Sequence, residues 1–226
     1  METESQKVIE RYDKRKSNNM VKENLSKIYF DHFVESEREL KYAEILKKHF
    51  PSFDSVRLLE IGAGTGGNLF FFKRLGFRRE NLFANELLPD RMEVLKKTFP
   101  WVTTYEGDAC DINFYDQQLF DVIFQSTVFT SLLDDKFKER LATKMWTLLK
   151  PGGIVLWYDF MFDNPKNKDV KGIKKNEIRK LFPEAATIKF KRVTLAPPLS
   201  RRVKKLYHFF NIVPFLRTHL IAEIEK

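Results

Sequence analysis

Cysteine is almost absent from the 226-residue chain: Cys110 stands alone, so no internal disulfide forms and the small disulfide-stapled scaffolds of secreted proteins are excluded. Long apolar runs are missing as well. None approaches the roughly 18 residues of a membrane span, and the N-terminus, Met-Glu-Thr-Glu-Ser-Gln-Lys, lacks the apolar core of a signal peptide. Both features predict a protein of the reducing cytoplasm with no transmembrane segment. The four histidines are far apart, and no His-Glu-x-x-His or Cys-x-x-Cys pattern occurs, so no metal is expected. Glycine is scarce too, with nine residues, yet four of them fall between Leu58 and Leu69.

That stretch reads Leu-Leu-Glu-Ile-Gly-Ala-Gly-Thr-Gly-Gly-Asn-Leu. Apolar Val56, Leu58, Leu59 and Ile61 run into it, and Leu69, Phe70, Phe71 and Leu75 follow at helical spacing, which predicts strand, tight turn and helix. Glycines at 62, 64 and 66 let the backbone adopt positive φ and bring a ligand against peptide groups that a Cβ would block. Gly62, Gly64 and Gly67 also satisfy the dinucleotide pattern G-x-G-x-x-G, so the loop alone does not separate a nicotinamide cofactor from S-adenosylmethionine. Glu60 tips the balance. A carboxylate two residues before the first glycine repels a pyrophosphate but suits a ligand carrying an ammonium and a sulfonium.

With Glu60, Gly62, Gly64 and Gly66 in the spacing E-x-G-x-G-x-G, the sequence resembles class I S-adenosylmethionine-dependent methyltransferases. The resemblance implies an α/β fold: a Rossmann-like seven-stranded sheet in the order 3-2-1-4-5-7-6, its last strand antiparallel, with helices on both faces. It also places Glu60, Gly62, Ala63, Gly64, Gly66, Asn68, Glu86, Leu87, Asp108, Ala109 and Gln125 around the cofactor. Long stretches, from Gln125 to Asp135 and Leu156 to Ile173 among others, are similar to stand-alone bacterial methyltransferases found among surface-polysaccharide and specialised-metabolite genes.

The rest of the chain extends this pattern. Residues 1–50 read as an N-terminal arm and a helix, and residues 51–226 as the methyltransferase domain. Residues 1–20 show no clear period and are expected to form a mobile arm; by the resemblance it is a lid, with Tyr12 or Arg15 reaching the acceptor. Ser36 and Glu39 form a capping-box pattern ahead of a stripe through Leu40, Ala43, Leu46 and Phe50. A second strand ends at Glu86, 20 residues beyond Gly66, where a carboxylate accepts from ribose hydroxyls. Pro89 starts the next helix, and a third strand, Val102 to Glu106, leads to Gly107-Asp108-Ala109. The resemblance assigns Asp108 to the adenine amine and the Ala109 N–H to the ring. Cys110 reads as a small buried side chain rather than a nucleophile.

Gln125, Ser126 and Thr127 leave the end of a fourth strand, and Tyr158 and Asp159 the end of a fifth. In an open α/β sheet these ends line the ligand crevice. Ser126 and Thr127 are therefore candidates for the acceptor site, and Asp159 for a general base with Tyr158 and Gln125 orienting the nucleophile. The Asn/Asp-Pro-Pro-Tyr sequence of adenine and cytosine amino-methyltransferases is absent here, which lowers the weight of nucleobase methylation.

The formal charge of +9 lies at the C-terminal end: residues 161–226 carry 16 Lys and Arg against 6 Asp and Glu. A basic, aromatic helix is expected from Ser200 to Phe210, and Arg201 and Arg202 in its first turn are candidates for an anionic group on the acceptor. The leading expectation is O-methylation of a small-molecule or glycan acceptor, anionic or lipid-linked. A tRNA or rRNA methyltransferase using the basic C-terminal third is the first alternative. A nicotinamide-dependent reductase is disfavoured by Glu60, Asp108 and the Lys150-Pro151-Gly152-Gly153 turn, while a non-catalytic S-adenosylmethionine-binding protein shares every cofactor motif.

Overall fold

The computed structural model describes residues 3–18, 25–113, 119–165, 167–196, 199, 203 and 206–226. Seven strands form one sheet: β1 (Leu58–Ile61), β2 (Leu82–Glu86), β3 (Thr103–Glu106), β4 (Phe120–Ser126), β5 (Leu149–Phe160), β6 (Thr187–Leu195) and β7 (Arg217–Glu225). Their order is β3-β2-β1-β4-β5-β7-β6. Strands β1 to β5 pair in parallel, and β7 runs antiparallel to both β5 and β6. This is the Rossmann-like sheet expected from the sequence. The helices are α1 (Glu4–Asn18), α2 (Leu25–His49), α3 (Gly67–Leu75), α4 (Pro89–Thr98), α5 (Asp135–Leu148), α6 (Lys175–Leu181) and the short α7 (Tyr207–Asn211). None among the described residues is long and apolar enough to cross a membrane.

Successive side chains of a strand point to opposite faces, so each parallel strand feeds two cores. Leu58, Val122, Phe124, Ile154 and Leu156 pack on one face with Tyr42, Ile45 and Leu46 of α2, Leu69 and Phe72 of α3, and Met92 and Leu95 of α4. Leu59, Ile61, Ile123, Val155 and Trp157 pack on the other with Phe137, Leu141 and Met145 of α5, Ile178 of α6 and Val8 of α1. Every residue of β1 and β2 is buried, as a parallel sheet covered on both sides requires. Burying a side chain such as Phe72 or Phe124 stabilises by ~2 kcal/mol. Local signals set the ends of two helices: Pro89 stands at the start of α4, and the Asp134 carboxylate accepts from the Phe137 N–H ahead of α5.

The topology fixes where a ligand fits. From β1 the chain moves outward through β2 to β3, then returns to place β4 on the other side of β1, so the loops leaving β1 and β4 diverge and open a crevice.

Both N-terminal helices depart from expectation. Residues Glu4 to Asn18 form α1 rather than an irregular arm. Val8 enters the core and Tyr12 packs against it, while Glu4, Ser5 and Arg11 make polar contacts to residues remote in sequence. Helix α2 begins at Leu25, and Ser36 lies within it instead of capping it. The reason is tertiary: the Glu37 carboxylate accepts from the Thr194 N–H, the Tyr207 hydroxyl and the Asn211 amide, which pins this half of α2 against β6 and α7. The buried stripe is correspondingly shifted to Tyr42, Ile45 and Leu46, while Leu40 is exposed. Leu40, Ala43 and Phe50 instead line an apolar groove with Phe53 and Leu75.

Candidate active site

The loop between β1 and α3 makes its turn with three left-handed glycines, Gly62 at φ 65°, Gly64 at 60° and Gly66 at 92°. Their surroundings differ. A Cβ at Gly62 would stand 2.5 Å from Val128 Cγ2, and one at Gly66 2.4 Å from the Phe99 ring. At Gly64 no atom lies within 4 Å. Two glycines therefore permit close packing of the loop, and the middle one faces open space where a ligand can touch the backbone.

Glu60 is fully buried beneath this loop. Asn68, at the start of α3, donates its amide to Glu60 Oε1 at 2.7 Å, and Oε2 has no partner. Burial, with Glu86 as a like-charged neighbour, pushes the Glu60 carboxyl up to about 8, and the Asn68 bond opposes the shift. Asn68 thus holds Glu60 in place rather than presenting its own amide outward. Glu86, at the end of β2, accepts from the Gly64 N–H at 2.6 Å through Oε2 and from the Leu88 N–H at 2.9 Å through Oε1. It braces the glycine loop, with a second lone pair on each oxygen for further donors. The Ala63 N–H is donated to the Asn85 carbonyl, so the loop is tied to β2 twice. Leu87 is half-buried and packs against the core of the opposite face.

Asp108 follows β3 and caps a short helical turn, its Oδ1 accepting from the Cys110 N–H. Its Oδ2 accepts from the Ser5 hydroxyl of α1 at 2.6 Å. From there α1 crosses the crevice. Glu4 accepts from the Leu133 N–H and pairs with Arg11, which donates to the Ser131 carbonyl. The Tyr12 hydroxyl lies 3.2 Å from Ser131 Oγ, and its ring is held between the guanidinium groups of Arg15 and Arg91. Arg15 reaches Asp169 on the far side. Cys110 is half-buried, and burial pushes its thiol up to about 12, which leaves it protonated and unreactive.

The pair Tyr158 and Asp159 does not converge as expected. Neighbours in a strand face opposite ways, and these two do. Asp159 is fully buried, with Oδ1 accepting from the Thr130 hydroxyl at 2.6 Å and Oδ2 from the Gln125 amide at 3.0 Å. Burial raises its carboxyl to about 7 against those bonds. Gln125 also accepts from the Val128 N–H, so its amide is engaged inside the fold. Tyr158 faces α2, its hydroxyl 3.0 Å from Thr194 Oγ1 and its ring stacked on His219; burial pushes the phenol up to about 12. Both side chains are buried and hydrogen-bonded within the fold. Asp159, Gln125 and Thr130 fix the backbone after β4, where Ser126 is half-buried and Thr127 is exposed in a left-handed conformation at φ 59°. A β-branched residue there is strained.

Arg201 and Arg202 lie outside the described residues. Part of the surrounding basic excess is neutralised within the fold, since Lys189 pairs with Glu223 and Lys191 with Glu44. Sequence reading missed Ser5, Glu4 and Arg11, whose partners lie more than a hundred positions away, and Thr130, a lone hydroxyl without a motif.

Residues 58–153 match the family described as a methyltransferase domain. The matched segment runs from β1 through the glycine loop, Glu86 and Asp108 to the turn that opens β5. Similar solved structures include an S-adenosylmethionine-dependent methyltransferase from Archaeoglobus fulgidus, at 14% identity and TM-score 0.59, covering 88% of this chain and 100% of that one. The N-methyltransferase NodS from Bradyrhizobium japonicum in complex with S-adenosyl-L-homocysteine is 16% identical, with TM-score 0.61 over 85% of this chain and 87% of its own. Phosphoethanolamine N-methyltransferase 2 from Haemonchus contortus in complex with S-adenosyl-L-methionine is 19% identical, with TM-score 0.60 over 84% of this chain and 52% of its own. At these identities the likeness establishes the fold. No curated protein sequence matches the chain significantly.

Proposed function

We propose that the protein transfers the methyl group of S-adenosylmethionine to an oxygen of a small-molecule or glycan acceptor. One observation carries the cofactor: a fully buried carboxylate, Glu60, has one oxygen without a partner directly beneath a glycine loop that is open at Gly64. A buried polar atom left unpaired in this way calls for a ligand group that completes it. The ammonium of the cofactor's amino-acid head does so, whereas a pyrophosphate is repelled. Glu86 then accepts from the ribose hydroxyls while bracing the loop, and Asp108 accepts from the adenine amine.

When bound, the cofactor supplies an electrophilic methyl on a sulfonium, and transfer needs mainly alignment and exclusion of water. The chain's own residues provide both. Asp159, Gln125 and Thr130 are positioning residues that hold the backbone at Ser126 and Thr127, which line the acceptor side. Helix α1 acts as the lid, exchanging the Ser5 bond to Asp108 for one to the nucleoside, with Tyr12 and Arg15 closing the acceptor end. The acceptor proton leaves to solvent or to a basic group of the acceptor, as Asp159 is fully buried and engaged by Gln125 and Thr130.

An RNA acceptor is the second reading, favoured by the excess of cations in residues 161–226. Incubation with methyl-labelled S-adenosylmethionine and fractionated cell extract separates the two. The expected result is label in an ether or ester methyl of the small-molecule or glycan fraction. Label in RNA would establish the second reading, label on an amine would overturn the oxygen, and no label in any fraction would leave a binding protein without transferase activity.

A further inference from the structure

The connection between β6 and β7, residues 196–216, carries a short helix turned inside out. Tyr207 and Asn211 of α7, one turn apart, are buried, and the Glu37 carboxylate of α2 accepts from the hydroxyl of one and the amide of the other. The Leu195 N–H donates to the Tyr207 hydroxyl, and Arg217 donates to the carbonyls of Asn211 and Arg192, so the segment is held at both ends by polar bonds. Outward stand Leu206, Phe209, Ile212 and Phe215, every third residue, between 57% and 76% exposed. A helix on a globular surface normally does the reverse. Isolated exposed apolar side chains are ordinary, but a contiguous set of this kind marks an interaction surface.

The surface lies at the edge of the sheet where the crevice opens. Strand β6 runs parallel to β5, since both are antiparallel to β7, and its last residue Leu195 pairs with Arg217. Residues 196–216 therefore leave the sheet on the same side as the loops after β1 and β4. Phe162, also exposed, leaves β5 at that edge, where the Met161 N–H donates to the Thr218 carbonyl. The charge nearby in sequence has one sign: residues 196–216 contain Arg201, Arg202, Lys204 and Lys205, and no Asp or Glu occurs between Glu184 and Glu223. Glu37, the carboxylate against α7, is turned inward. We propose that Leu206, Phe209, Ile212 and Phe215 dock the protein on the surface of an anionic lipid bilayer, with the crevice edge toward the headgroups. Apolar side chains that enter the interface and cations that meet lipid phosphates are the two signals peripheral attachment needs together. A second copy of the chain would bring like charges face to face. A single-stranded nucleic acid calls for ring faces on which bases stack, whereas Leu206 and Ile212 are aliphatic. The inference goes beyond methyl transfer and does not depend on it.

Flotation with vesicles tests the proposal, comparing pure phosphatidylcholine with phosphatidylcholine containing about 30 mol% phosphatidylglycerol. Wild type is expected to float with the anionic vesicles, to partition at least about tenfold more weakly onto the neutral ones, and to be released by high salt. The triple variant Phe209→Ser, Ile212→Ser, Phe215→Ser should lose at least about tenfold in anionic-vesicle partitioning, with the thermal midpoint and S-adenosylhomocysteine affinity of wild type. Should the triple variant fail to fold, Phe215→Ser alone, at the most exposed of the four positions, is expected to lose about threefold or more. Wild type that ignores anionic vesicles would overturn the proposal, and so would a folded variant that floats as wild type does. Tighter binding of wild type to a single-stranded RNA oligonucleotide, lost in the same variants, would assign the surface to RNA instead. A wild-type dimer that the variants convert to monomer in sedimentation would make it an interface between copies, which also contradicts the proposal.

Discussion

Glu60→Gln is expected to do two opposite things: weaken S-adenosylhomocysteine binding by about 10- to 100-fold, the worth of a charge-assisted hydrogen bond, and raise the thermal midpoint of the unliganded protein at pH 8.5. The substitution keeps an oxygen for the Asn68 amide and removes only the buried charge. In the folded chain the Glu60 carboxyl is raised from 4.5 to about 8, so between those values the native state holds a proton that the unfolded state has lost. Its contribution to stability is therefore full at low pH, declines as pH rises, and is gone above about pH 8. His219, lowered from 6.5 to about 4 by burial, runs the other way but is neutral in both states above pH 6.5. Asp159, raised to about 7, declines in parallel with Glu60 but is present in both proteins. The difference between variant and wild type thus isolates Glu60 and should widen from pH 6.5 to 8.5, reaching several degrees, since a shift of this size corresponds to a few kcal/mol. Scanning calorimetry of both proteins across that range measures it. A difference that stays flat with pH would show that Glu60 is not held protonated by its surroundings.

The glycines provide the second large effect, because two of them should fail for different reasons. Gly66→Ala places a Cβ about 2.4 Å from the Phe99 ring at φ 92°, where both clash and backbone strain apply. The expected loss is ~3 kcal/mol or more, with ligand affinity normal in whatever fraction folds. Gly64→Ala meets no atom within 4 Å and incurs only left-handed strain, at φ 60°. That costs ~1–2 kcal/mol, yet ligand binding should fall by more than about tenfold, because the new methyl stands where the ligand approaches the loop. Urea unfolding combined with calorimetric titration of each variant separates stability from affinity. If Gly64→Ala binds S-adenosylhomocysteine as wild type does, the open space at Gly64 is not the ligand's.

How much of this could be read in the sequence depends on how local each cause is. The loop from Glu60 to Gly67 was legible because its conformation is set by residue type: glycine at positive φ, a carboxylate before it, a helix after it. The helix start at Pro89 was legible for the same reason. Helix α1 was not, because beside Val8 its packing side is built from Ser5, Glu4, Arg11 and Tyr12, whose partners at Asp108, Leu133 and Ser131 are remote in sequence. The shift of the α2 stripe to Tyr42, Ile45 and Leu46 has a similar origin, since Glu37 answers to β6 and α7 rather than to its own helix. The placement of Asp159 is different in kind. Two adjacent residues in a strand cannot both face one crevice, so the period of the strand already separated Asp159 from Tyr158. What the sequence could not give is that Gln125 and Thr130 occupy both oxygens of Asp159, turning it from a candidate base into a brace.

The central claim is that the crevice beside Glu60 takes S-adenosylmethionine rather than a dinucleotide. Parallel calorimetric titrations of the wild-type protein at pH 8 with S-adenosylhomocysteine and with NADH test it most directly. The account predicts saturable one-to-one binding of S-adenosylhomocysteine and no saturable response to NADH; saturable NADH binding with none to the sulfur ligand would contradict it.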